Sequence, residues 1–310
     1  MTAARPKEQP GPGPMPAALL RALDLTVGRR IHGLLPGEFR ALDLGGGLEL
    51  AQIRPYQPGD DVRTIDWNVT ARTTVPHVRV HVPERALTAW LVLDVSPSMA
   101  FGTALRRKAD VAEGVSIALG HLATQRGNRL GIVTFGGAKV RRIRPGIGRA
   151  GLLATLLAAQ DDPLGDQSLD SPTEPLTTAS AALRFVASTA RRGGLVAIVS
   201  DFRGPRDWLQ PLAAVATRHH VLAIEIDDPR EGDLPDVGEL TLVDAETGRE
   251  VRVDTSSRDL RTRFSTAAAE ERRSLASDLR RIGVGHVVLS TATAWLPSLA
   301  GQMRALGRAS

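Results

Sequence analysis

The chain has 310 residues, 42% of them hydrophobic, and no cysteine. That length holds one large domain or two modest ones around a real core, and the missing thiols exclude disulfides and thiolate metal sites. A net charge of +5, from 39 basic and 34 acidic residues, is mild, and four Trp, one Tyr and six Phe are few for a base-stacking platform, so nucleic acid is not an expected partner.

Residues 1–17 lack the apolar centre of a signal peptide and have the Pro, Gly and charge content of a disordered tail. No run of about twenty apolar residues follows, so no membrane span is expected, and the expected compartment is the cytoplasm. A leucine-rich pattern from 18 to 35, broken at Pro36-Gly37, predicts a short helix. Residues 38–88 are rich in Gly, Pro and charge, with brief strand-like runs. HVRVHV (77–82) alternates cleanly, with Val78, Val80 and Val82 on one face. The segment 18–88 therefore reads as a helix followed by a small β-rich module.

From Trp90 strands alternate with helices. LVLDV is a strand, and residues 104–125 form a helix with the stripe Ala112, Val115, Leu119 and Leu122. RLGIVTF (129–135) is a strand that turns at Gly136-Gly137 into an antiparallel partner at 139–145. A helix over 149–160, a loop over 161–176 and a helix over 178–191 lead to LVAIVS (195–200), which ends in Asp201. A helix (206–218), the strand HVLAIEI (220–226) and a β-hairpin insertion at 239–254 follow. A long charged helix (257–282), the strand HVVLS (286–290) and a closing helix (295–308) complete the chain. Residues 89–310 are thus expected to form an α/β domain, a mainly parallel sheet with helices on both faces.

In open α/β sheets, ligands bind beyond the carboxyl ends of the strands. The stretch WLVLDVSPSM (90–99) delivers Asp94 to that edge, and VAIVSD delivers Asp201. Ser96 and Ser98 follow at alternate positions, so an extended turn points both hydroxyls the same way. A further hydroxyl is offered by Thr177 or Thr178, either of which is a candidate N-cap for the helix that follows. The set is all oxygen, without His or Cys. It suits Mg²⁺ or Mn²⁺ and makes a poor zinc site. Two formal negative charges leave room for a carboxylate from another molecule. Asp-x-Ser-x-Ser alone is a weak pattern, since a polar loop with a capping serine has the same letters. Its place between an apolar strand and a helix, and a second acid at a second strand end, add weight.

This arrangement resembles the von Willebrand factor A domain, a Rossmann-like fold, with its metal-ion-dependent adhesion site. The resemblance puts the five metal positions on Asp94, Ser96, Ser98, Thr177 and Asp201, the threonine being placed by its distance from Ala181-Ala182 and Leu183. It implies a bound Mg²⁺ (or Mn²⁺) whose last oxygen comes from an acidic side chain of a protein partner. IRPYQPGDDVRTIDWNVTAR (53–72), PERALTAWLVLDVSPSM (83–99) and DDPREGDLPDVGELTLVDAETGREVRVDT (227–255) narrow the match. Over residues 38–300 the chain is similar to the domain-of-unknown-function-58 family. That family implies a MoxR-type AAA+ ATPase as partner, in the assembly or activation of client proteins. Many of its members carry two N-terminal membrane helices, which are not expected here.

The alternatives are a metal-assisted phosphoester hydrolase and a metal-free scaffold. His77, His81 and the pair His219-His220 are not placed by sequence as a general base. An aspartyl-phosphate nucleophile at Asp94 would want further acids close by, where serines stand instead. Binding rather than catalysis is the expected role. Within 53–72, Pro58-Gly59 predicts a tight turn. Asp60, Asp61, Arg63, Asp66 and Arg72 predict an ion-pair network anchored by Trp67, either clamping the β-rich module to the larger domain or serving, with Arg54 and Tyr56, as a direct partner surface. Arg141, Arg142, Arg144 and Arg149 read as a solvated basic edge.

Overall fold

The structure is a computed structural model that describes residues 11–13, 48–83, 88–125, 128–138, 140–147, 177–191, 193–245 and 248–309. The helices expected over 18–35 and 149–160, and the loop over 161–176, lie outside the described residues. Two compact units are distinguished, one within His32–Ala86 and the other comprising Met1–Ile31 and Leu87–Ser310.

In the smaller unit, β1 (Leu48–Pro55) pairs antiparallel with β2 (His77–Pro83), Pro55 standing opposite His77. The charged block between them differs from the expected network. It contains a helix, α1 (Trp67–Thr73), started by Asp66, whose carboxylate accepts hydrogen bonds from the Asn68 and Val69 amides at 3.0 and 3.2 Å. Asp61 caps the short 3-10 turn Val62–Thr64 in the same way. Asp60 forms a fork with Arg54, both bonds 2.8 Å. All three acids thus serve backbone amides, Asp60 accepting from Gln57 at 2.8 Å beside its fork with Arg54, and Asp61 and Asp66 as caps of helical turns. Trp67 is 71% exposed, so it is not a buried anchor.

The larger unit runs β3 (Thr88–Asp94), α2 (Lys108–Gln125), β4 (Arg129–Phe135), β5 (Arg142–Ile147), α3 (Ala179–Thr189), β6 (Leu195–Ser200), α4 (Leu209–Ala216) and β7 (His220–Asp227). A hairpin of β8 (Glu239–Val243) and β9 (Glu250–Asp254) precedes α5 (Arg258–Arg281), β10 (Gly285–Ser290) and α6 (Trp295–Ala309). The six-stranded sheet has the order β10-β7-β6-β3-β4-β5, and every pair is parallel except β4 with β5. This is an α/β fold with a mainly parallel sheet.

Both faces are covered, which explains why the inner strands read as unbroken apolar runs. On β3 the side chains alternate between two cores. Ala89, Leu91 and Leu93 pack with α2 and with Trp295, Leu296 and Leu299 of α6. Trp90 and Val92 pack with Leu183 and Val186 of α3, Leu212 of α4 and Leu279 of α5. The chain leaves β3 for β4 on one side and returns to β6 on the other. The order therefore reverses between β3 and β6, and their carboxyl ends open onto the crevice where such sheets bind ligands. Among the described residues no helix is long and apolar enough to cross a membrane.

Candidate functional site

Asp94 closes β3 and Asp201 follows β6, two neighbouring parallel strands, so both carboxylates arrive at one edge. Each is 4% exposed. The Ser96 amide donates to Asp94 Oδ1 at 2.9 Å, and Ser200 Oγ donates to Oδ2 at 2.6 Å. Burial pushes the Asp94 carboxyl up to about 7, aided by the nearby Asp201 charge and opposed by the bonds from Ser200 and Ser96. Ser96 stands at the start of the 3-10 turn Pro97–Ala100 but makes no capping bond with its side chain. Its Oγ instead lies 3.0 Å from Ser98 Oγ, and Ser98 in turn hydrogen-bonds Asp201.

Gly136, in the turn after β4, completes the wall. Its φ is +84°, and a Cβ there would come within 2.7 Å of Asp94 Oδ1 and of Ser96. Only glycine lets the backbone approach this closely. The Gly136 amide donates to the Thr177 carbonyl at 2.8 Å, while the Thr177 amide and Oγ1 both reach the Gly137 carbonyl, at 2.9 and 3.0 Å. Thr177 is therefore tied to the same edge, with its hydroxyl donating to backbone. Thr178 is the N-cap of α3, its Oγ1 accepting from the Ala181 amide at 3.2 Å.

A buried lysine stands behind Asp201. Lys108, the first residue of α2, has no exposed surface, and its Nζ donates to Asp201 Oδ2 and to Glu231 Oε1, each at 2.6 Å. Burial alone would lower its pKa, but the Asp201 and Glu231 charges outweigh burial and hold the ammonium above its ordinary value. Asp201 is pulled the other way: burial would raise it, and the Lys108 charge with bonds from Lys108, Ser98 and the Arg203 amide holds it low. Glu231 Oε2 accepts from the Asp228 amide at 3.1 Å. Asp228 is itself fully buried and fixed by Thr103 Oγ1 and Thr291 Oγ1, both at 2.6 Å.

The structure thus brings Asp94, Ser96, Ser98 and Asp201 together and ties Thr177 to their edge through Gly136-Gly137. A divalent cation fits this donor set. Two hydroxyl oxygens 3.0 Å apart match adjacent corners of an octahedron with metal–oxygen bonds of about 2.1 Å. Among the described residues no group of three or more His, Cys, Asp and Glu is placed to hold a metal, so hydroxyls are essential to any such site. Lys108, Glu231, Ser200 and Gly136 were not expected from sequence. One signal for Lys108 was available: a cation at a helix N-terminus opposes the helix dipole and needs acids nearby.

Away from this edge, Arg129, Arg142, Arg144 and Arg191 border a cavity of about 840 Å³ beside β5 and the end of α3. Arg142 lies over the Phe185 ring at 4.4 Å. Arg149 is outside the described residues.

A family model described as "Protein of unknown function DUF58" matches residues 52–274. The uncharacterized protein Rv1480 of Mycobacterium tuberculosis is 43% identical over 291 residues, 92% of this chain and 88% of that protein. The uncharacterized protein Mb1516 of Mycobacterium bovis matches to the same extent. Among solved structures, the conserved hypothetical protein BatB from Bacteroides thetaiotaomicron aligns with a TM-score of 0.43 at 13% identity, covering 72% of this chain and 100% of that one. The SpRpn10 VWA domain aligns with a TM-score of 0.37 at 12% identity, covering 70% and 95%. At these scores the fold rests on the sheet order above rather than on the overlay.

Proposed function

Because this chain belongs to the DUF58 family of proteins of unknown function, we propose that it is a protein-interaction module working through a divalent cation. Asp94, Ser96, Ser98 and Asp201 hold the ion, Mg²⁺ or Mn²⁺, at the β3/β6 edge, and Thr177 borders it. The ion supplies a positive centre for an acidic side chain of the partner. The chain's own groups shape that centre: Ser200 and the Ser96 amide fix the Asp94 carboxylate, Lys108 fixes Asp201, and Gly136 keeps the mouth free of side chain. The family resemblance supplies the rest of the reading, a MoxR-type AAA+ ATPase as partner and the assembly or activation of client proteins in the cytoplasm.

One observation carries the proposal. The carboxylate and two hydroxyls of the stretch 94–98 meet a second strand-end carboxylate, Asp201, at the reversal point of the sheet, with the hydroxyl oxygens 3.0 Å apart. Calorimetric titration with Mg²⁺ and Mn²⁺ tests it, using the native chain and a Ser96→Ala/Ser98→Ala variant. Heat in the native protein alone is expected. A native protein that binds neither ion ends the metal reading. Capture of a MoxR-type ATPase that survives chelation equally well in both proteins ends the link between metal and partner.

A further inference from the structure

We infer that Lys108 sets the charge of the proposed site, holding its net negative charge down so that the protein alone binds a divalent cation weakly. The inference rests on the metal reading above and adds a regulating residue to it. Lys108 is a strange occupant of its position. It has no exposed surface, and it opens α2, where the helix dipole disfavours a cation. Local helix chemistry does not place it there, but the two acids that it bridges at 2.6 Å do.

Its geometry is fixed from both sides. Glu231 is held by a capping box with Asp228, and Asp228 is locked between Thr103 and Thr291. The ammonium therefore cannot drift away from Asp201 without breaking a buried network. Charges at this edge then balance in pairs. Lys108 stands against Asp201, and Arg203 stands against Glu231 at 3.4 Å. Asp94 has hydroxyl and amide partners and no cation among its described contacts. A site with about one effective negative charge leaves a doubly charged ion strongly electrophilic and ready for a carboxylate from outside. Lys108 donates to Asp201 and Glu231 and to neither serine among the described hydrogen bonds, so it is a positioning and charge-setting residue.

Mg²⁺ affinity by calorimetry and Mg²⁺-induced shifts in melting temperature test this on the full chain. Lys108→Met is expected to bind Mg²⁺ at least about tenfold more tightly, because no ammonium then opposes the incoming cation at Asp201. Its metal-free melting temperature should fall, and Mg²⁺ should raise it by more than in the native protein. Glu231→Gln leaves the Lys108 charge to Asp201 alone, so Mg²⁺ affinity should fall severalfold. The opposite signs keep the test valid if Lys108→Met does not fold. Unchanged Mg²⁺ affinity in the folded variants overturns the inference and leaves Lys108 a structural residue. No Mg²⁺ binding by the native chain and by both variants overturns the metal reading, and this inference with it.

Discussion

Two flanks of one sheet handle charge in opposite ways. At the carboxyl ends of β3, β6 and β7, Asp94, Lys108, Asp201 and Asp228 are nearly or wholly withdrawn from solvent, and each is held by named hydrogen bonds. Beside the outer strand β5, Arg129, Arg142, Arg144 and Arg191 are exposed, and their side chains take part in no ion pair among the described residues. Exposed arginines keep their hydration, whereas a buried carboxylate must replace it with bonds that fold the chain around it. Charged side chains therefore report hydration on one flank and a built site on the other. Burial, not composition, separates the two.

Asp201→Ala should give the largest effect. It strands the buried Lys108 ammonium with Glu231 alone, and urea unfolding in chelator should show a loss of about 3–5 kcal/mol. Asp94→Asn is the sharper half of the test. Asp94 has no cation partner among the described residues, so its loss should cost less than about 1 kcal/mol. Equal losses at the two acids would erase the distinction between a charge held by hydroxyls and one held by a cation. On the other flank, Arg142→Ala should lose about 0.5–1 kcal/mol with its ring contact on Phe185, and Arg144→Ala about 0.5 kcal/mol or less. A loss of several kcal/mol at either arginine would show that this flank too is a built structure.

The inner strands and the two acids at their ends were legible in the sequence because each is a local pattern: an apolar run, then Asp, with serines at alternate positions. The parallel α/β class followed from the alternation of strands and helices. What was not legible depends on contacts far apart in the chain. Lys108 and Glu231 are 123 positions apart, and Thr103 and Asp228 are 125 apart. Ser200 sits in a strand that reads as plain core until its hydroxyl is seen on Asp94. Gly136 reads as a turn residue, and only the positions of Asp94 and Ser96 reveal why no side chain fits there. Helix α1 was hidden by the dense charge around it, because Asp61 and Asp66 look like ion-pair partners when counted and act as caps when placed.

His219 extends the comparison to a buried group whose hydrogen bonding is incomplete, and it should give the smallest effect. It is 7% exposed just before β7, its Nε2 lies 3.1 Å from the Ala190 carbonyl, and its Nδ1 has no partner among the described residues. Burial first, then the neighbouring Arg218 and His220 charges, lower its pKa against the Ala190 bond. With Nε2 donating to Ala190, a second proton would sit on Nδ1 in a place with no acceptor. The unfolded chain takes up that proton as pH falls through about 6.5, and the native protein resists it. The unfolded state then binds more protons, so the stability tied to His219 is present above that value and is lost as pH falls below it. Melting temperatures of the native chain and a His219→Gln variant, followed from pH 7.5 to 5.5, should therefore converge as the solution is acidified. A constant gap across that range would mean that His219 is as free to take a proton in the fold as outside it, and that burial without a full set of partners carries no pH signature here.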